Sequence, residues 1–120
     1  MAGYSQTPLV DATGTVIDRT VAVAPTSTVI LAPFSCWGFE ELSVVLTNSD
    51  ATQELNAWVE MAPTISGPWD QSQWTGLEQI AATETRVEVA VLRGRQYARI
   101  TGTASGAGLS CRIWALKVSP

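Results

Sequence analysis

The segment Gly67-Pro68-Trp69-Asp70-Gln71-Ser72-Gln73-Trp74 packs two indoles and several hydrogen-bonding side chains into a short stretch. Trp69 and Trp74 offer flat apolar faces of the kind that stack on sugar rings, while Asp70, Gln71 and Gln73 supply directional donors and acceptors for hydroxyls. With Trp58 they define a candidate glycan platform. The competing role is structural: one ring plugs the end of an apolar core and the other anchors the loop. Aromatic richness alone does not select a ligand, so the structural role takes precedence.

Other chemistry finds less support. Histidine is absent, which removes histidine-dependent triads and His-containing metal sites. Glu40 and Glu41 are adjacent, and neighbours on an extended strand point to opposite sides, whereas a glycosidase needs two carboxylates converging on one bond. Glu60 and Asp70 are a distant pair whose convergence the sequence does not fix. Asp50 and Asp70 sit near turns, but neither begins an oxygen-rich loop of EF-hand spacing. No catalytic, cofactor-binding or metal-ligating residue is assigned, and no cofactor is expected. Cys36 and Cys111 lack CxxC spacing and read as buried free thiols, with a disulfide across the domain as the alternative. Gly102, Gly106 and Gly108 form no phosphate-binding fingerprint and read as strand geometry and loop.

Strand alternation positions these residues. In Glu84–Val91, Thr85, Val87, Val89 and Val91 share one side, assigned inward, and Glu84, Arg86 and Glu88 the other. Leu42, Val44 and Leu46 point inward from a second strand that ends at the turn-forming Asn48-Ser49-Asp50. Leu55, Ala57, Val59 and Met61 form the apolar side of a third strand, which Pro63 should end; Trp58 then shares the opposite side with Asn56 and Glu60. Further strands are expected over Val16–Ala22, Thr28–Leu31, Gln96–Thr103 and Leu109–Lys117. In the last of these, Cys111, Ile113 and Ala115 fall on one side and Arg112, Trp114 and Leu116 on the other. No segment keeps a helical apolar stripe for three turns. Seven or eight short strands cover their apolar faces most simply as two antiparallel sheets, so the expected fold is an all-β, jelly-roll-like β-sandwich, with an open barrel as the alternative.

The 120 residues suit one domain. We divide them into an amino-terminal arm over 1–14, flexible or held by a partner, and a sandwich over 15–120. The arm places Pro8, Leu9 and Val10 among the candidate interface residues. Trp58 and Trp114 join them as outward-facing aromatics, and Arg95 and Arg99 as planar donors for acidic partners. Seven basic against eleven acidic residues, a net charge of -4, give no general field for nucleic acid or anionic lipid. The sequence lacks a continuous apolar membrane span, and its first residues show neither a basic nor an apolar leader region.

Three stretches carry a resemblance to a known group. They are Phe34-Ser35-Cys36-Trp37-Gly38-Phe39-Glu40-Glu41-Leu42-Ser43-Val44; Val59-Glu60-Met61 followed by Trp69-Asp70 through Trp74; and Arg93-Gly94-Arg95-Gln96-Tyr97-Ala98-Arg99-Ile100. Together they resemble small β-sandwich virion proteins of tailed bacteriophages, of the head decoration or cement type, over about Val21 to Val118. The resemblance implies a non-enzymatic structural protein of the virion, assembled in the host cytoplasm. It implies multivalent binding to a major capsid protein or another virion protein, as a homo-oligomer, without membrane or direct nucleic-acid contacts. A carbohydrate-binding or adhesive module using Trp58, Trp69 and Trp74 is the alternative.

Overall fold

The computed structural model describes residues 5–10, 14–37, 41–70, 79–91 and 96–119. Among these are eight strands: β1 (Ser5–Pro8), β2 (Asp18–Val23), β3 (Thr28–Ser35), β4 (Glu41–Asn48), β5 (Leu55–Ala62), β6 (Thr85–Val91), β7 (Tyr97–Ala104) and β8 (Leu109–Ser119). They form two antiparallel sheets. The larger runs β1-β8-β4-β6, with β2 also pairing β8, and the smaller runs β3-β7-β5. The chain is an all-β sandwich.

The alternation expected of β4, β5 and β8 is present. Leu42, Val44, Leu46, Leu55, Ala57, Val59, Ile100, Cys111, Ile113 and Ala115 line the interior between the sheets, each at most 1% exposed. Pro63 follows the last residue of β5, as a residue without an amide donor should. Pro33 lies in β3, an edge strand, where the pairing with β7 shifts register between Leu31 and Phe34. An edge position and a bulge are the two places where a strand tolerates proline.

The inward assignment of Val87 and Val89 is corrected by the structure: they are 60% and 47% exposed. β4 decides their direction. Val45 and Ser43, on its outward side, pair with Val87 and Val89, while the buried Leu46 pairs with Arg86. Directly opposed residues share a face, so the valines of β6 point outward. Alternation revealed the two sides of this strand; the pairing assigned the sides to interior and solvent.

The amino-terminal segment contributes β1, which pairs with the distal half of β8, with Pro8 opposite Leu116. Leu9 continues this attachment through its amide, which donates to Ala115 O at 3.0 Å, and its side chain is buried. Asn48, which reads as a turn residue in sequence, is fully buried at the end of β4. Its Nδ2 donates to the carbonyls of Gln53, Ile80 and Ala81, and its Oδ1 accepts from the Asp50 amide. Both polar atoms of the amide group are thus hydrogen-bonded, which is the condition for burying one. Gly102 marks a close approach of β7 to its neighbours: a Cβ there would lie 2.7 Å from Asn56 O and 2.6 Å from Ile30 Cδ1.

Candidate functional site

The outward face of the larger sheet is assembled by register. Val87 of β6 lies beside Val45 of β4, which lies beside Trp114 of β8, which pairs with Asp18 of β2. The adjacent row runs Val89, Ser43, Leu116 and Pro8. Trp114 is 38% exposed, and Val45 and Leu116 are half-buried. Four β-branched or aromatic side chains therefore present a contiguous apolar strip to solvent across three strands. Polar residues bound it. On one side Arg112 grips Asp18 through two charge-assisted hydrogen bonds of 2.9 and 3.0 Å, and Thr47 and Thr85 share a hydroxyl contact of 2.9 Å. The Arg112 guanidinium holds the Asp18 carboxyl below its ordinary value. An apolar centre with a polar rim is the arrangement found where one protein surface docks on another.

The outward face of the smaller sheet is built differently. Cross-strand register sets Glu60 opposite Arg99 and Trp58 opposite Thr101. The loop after β5 then folds back, with reciprocal amide bonds joining Met61 and Asp70. Its turn needs Gly67, whose φ of 103° lies in the left-handed region and whose amide donates to Thr64 O. This return brings Trp69 over the sheet, where the Arg99 guanidinium lies 4.3 Å from its ring centroid. Arg99 Nε also donates to Glu60 Oε1 at 2.7 Å, Thr101 Oγ1 donates to the same oxygen at 2.8 Å, and Trp58 Nε1 donates to Glu60 Oε2 at 3.2 Å. Burial alone would raise the Glu60 pKa and is the largest single influence; the three hydrogen bonds and the Arg99 charge together outweigh it and hold the carboxyl below its ordinary value. Glu60 is thus an ionised hub, with no proton to exchange near neutrality.

Of the proposed glycan platform, Trp58 and Trp69 share this face, each half-buried, and Trp74 lies outside the described residues. One face of Trp69 is already occupied by Arg99. Among the proposed interface residues, Trp114 and Pro8 are on the outer face of the larger sheet, Arg99 and Trp58 belong to the Glu60 cluster, and Arg95 lies outside the described residues. Leu9 is in the interior and Val10 is 40% exposed. These two also line an apolar groove of about 520 Å³ between the β1–β2 connection and the bulged half of β3, with Phe34, Ile65 and Tyr97 on its walls. Val87 and Val89 are the outer-face residues that alternation assigned to the wrong side, and pairing with Val45 and Ser43 is the signal that places them.

Cys36 and Cys111 are both buried free thiols, each pushed up to about 11 by burial. Among the described residues no group of three or more His, Cys, Asp or Glu side chains is placed to hold a metal ion, and no helix is long and apolar enough to cross a membrane.

No protein-family model matches the chain, and no curated protein matches it. Solved structures do. The chain is similar to a protein of the disulfide-linked pili formed by Bacillus endospore appendages, with a TM-score of 0.62, 13% identity, and coverage of 98% of this chain and 88% of that one. It is similar to PirA, with a TM-score of 0.61, 17% identity, and coverage of 84% and 94%. It is also similar to a protein in the structure of infectious bursal disease virus, Gt strain, with a TM-score of 0.56 and 10% identity; 96% of this chain matches 32% of that one, so it spans about a third of the viral chain. At these identities what is shared is the sandwich fold.

Proposed function

We propose that the protein is a non-enzymatic structural component of a bacteriophage virion, decorating or stabilising the capsid through many identical protein contacts. The observation that carries this reading is the exposed apolar strip Val87-Val45-Trp114, bounded by the Asp18–Arg112 pair, on a rigid sheet. Such a strip gains stability when a partner covers it, and a repeating shell offers the same partner many times. The occurrence of the fold in an assembled pilus and in a virus particle supports the reading, as do the three sequence stretches that resemble tailed-phage virion proteins. The described polar clusters also favour it: Glu60, Arg99 and Thr101 are consumed in mutual bonds, an arrangement suited to holding a face rigid and not to turning over a substrate.

The test is to mix purified protein with undecorated particles of its source virus, then measure co-sedimentation and image the lattice. Saturable binding at a fixed ratio of copies to capsid subunits is expected. Absence of binding, together with glycan binding lost on Trp58→Ala or Trp69→Ala, would replace this function by the adhesive one, for which the shared face of Trp58 and Trp69 is the favouring observation.

A further inference from the structure

β6 is the last strand of the larger sheet, and among the described residues no strand lies on its far side. Alternate residues of such an edge direct amide and carbonyl groups outward, a template for another strand. Natural edges are usually blunted by charge or shape, and β6 carries such charge. Val87 and Val89 lie in solvent, while Arg86 and Glu88 occupy the positions opposite the buried Leu46 and Val44, where they oppose pairing unless the partner supplies the opposite charge. When its sequence, Glu84-Thr85-Arg86-Val87-Glu88-Val89-Ala90, is read antiparallel about Val87, Arg86 and Glu88 exchange places and Glu84 meets the neutral Ala90.

We propose that β6 pairs antiparallel with β6 of a second copy of this chain, with the two-fold axis passing beside Val87. Symmetry limits the choices. Joining two identical edges antiparallel requires an axis perpendicular to the sheet, so outer face meets outer face and each residue opposes one of the same side. Centred on Val87, the pairing sets Arg86 of each copy opposite Glu88 of the other, giving two opposite-charge positions, and sets Val87 against its own symmetry mate. Slipping the centre to Glu88 sets that residue against itself. Slipping it to Arg86 opposes Arg86 to Arg86 and Glu84 to Glu88. Like charges directly opposed destabilise a sheet, so the charge pattern selects Val87 over both slips. The same pairing joins the two outer strips into one continuous row, Trp114-Val45-Val87 meeting its mirror sequence across the axis. This inference rests on the edge strand and not on the shell-binding reading: particle binding by a strictly monomeric protein overturns the former and leaves the latter standing.

Sedimentation velocity across the micromolar to millimolar range tests it. Wild-type protein should dimerise. Arg86→Glu should weaken self-association by about tenfold or more, since it creates two like-charge oppositions. That change also removes the Arg86–Glu84 ion pair within the chain, so Glu88→Arg, which leaves that pair intact, should be made alongside it and should weaken self-association equally. Mixed together, the two variants should dimerise with each other, because one then carries glutamate at both positions 86 and 88, opposite arginine at both positions of the other. In oxidative cross-linking, Val87→Cys should give a covalent dimer and Val89→Cys should not, since the register opposes residue 89 to Thr85; the native thiols, buried, serve as a silent background. A wild-type monomer throughout, or a dimer indifferent to both charge reversals, would overturn the proposal, as would equal cross-linking at 87 and 89.

Discussion

The two outer faces of the sandwich hold their aromatic residues in opposite circumstances. On the β5–β7 face, Trp58 donates to Glu60 and Trp69 lies under Arg99, so each ring is tied into a cluster whose charges are internally matched. On the β8-β4-β6 face, Trp114 stands beside the half-buried Val45, with the exposed Val87 one strand further on and its nearest ion pair, Asp18–Arg112, at the margin. Both strands were bound to send their tryptophan outward by alternation. What distinguishes them is the loop after β5, which returns over one face and supplies its cover, while on the other face no described loop covers Trp114, Val87 or Val89. The chain itself covers the first face; on the second, among the described residues, Trp114, Val87 and Val89 remain exposed.

The comparison breaks most visibly at Glu60. Glu60→Ala leaves Arg99, Thr101 Oγ1 and Trp58 Nε1 without their acceptor, and Thr101 is only 2% exposed, so water replaces the lost bonds poorly. A loss of about 3 kcal/mol in folding stability is expected from urea denaturation, as when one partner of a largely buried pair is removed. A cost no larger than that of a surface substitution would mean that this face is as open as the other.

Trp114→Ala probes the second face. Folding stability should change by about 1 kcal/mol or less, because the ring is more than a third exposed. Affinity for the undecorated particle should fall by about 2 kcal/mol or more, the behaviour of an aromatic anchor in the centre of a contact. Val89→Asp has a smaller effect on the fold, within about 1 kcal/mol, because residue 89 lies on the solvent side of an edge strand and the penalty is chiefly one of strand preference. Thermal denaturation of the two variants beside Val44→Asp, which charges a fully buried site, calibrates the difference.

Much of this architecture is legible in the residues. The strand positions of β4, β5, β7 and β8 follow from period-two patterns and their bounding turns, and counting from Leu55 or Cys111 sends Trp58 and Trp114 outward. β6 shows where such reading stops. Its charged and apolar sides alternate cleanly, but an edge strand has one neighbour, and the direction of its valines depends on pairing with Val45 and Ser43 some forty residues away. The Glu60–Arg99–Trp69 cluster is hidden for the same reason: its members lie on β5, β7 and a returning loop, and only the β5–β7 register brings them together. Asn48 misleads locally, since its type is common in turns, while its burial depends on carbonyls presented by Gln53, Ile80 and Ala81.

The smallest effect expected is one of pH, and it sharpens the contrast between the faces. Glu60 is held below its ordinary value of 4.5 in the folded chain, so the unfolded chain takes up its proton first as pH falls. Stability from this group is therefore fully present above the ordinary value and is lost as pH drops through the depressed one. Asp18, Asp50 and Glu84 are lowered as well and add slopes of the same sign, so wild-type acid sensitivity alone does not isolate Glu60. Glu60→Gln does: it keeps the side chain's size, removes its charge, and leaves the other three carboxylates in place. Below pH 4.5 the variant should lose stability less steeply than the wild type, whereas Asp18→Asn, at an exposed pair on the open face, should alter the slope less. Chemical denaturation at closely spaced acidic pH values measures both slopes. Equal flattening by the two variants would show that the charge on the covered face is no better coupled to folding than the one at the margin of the open face.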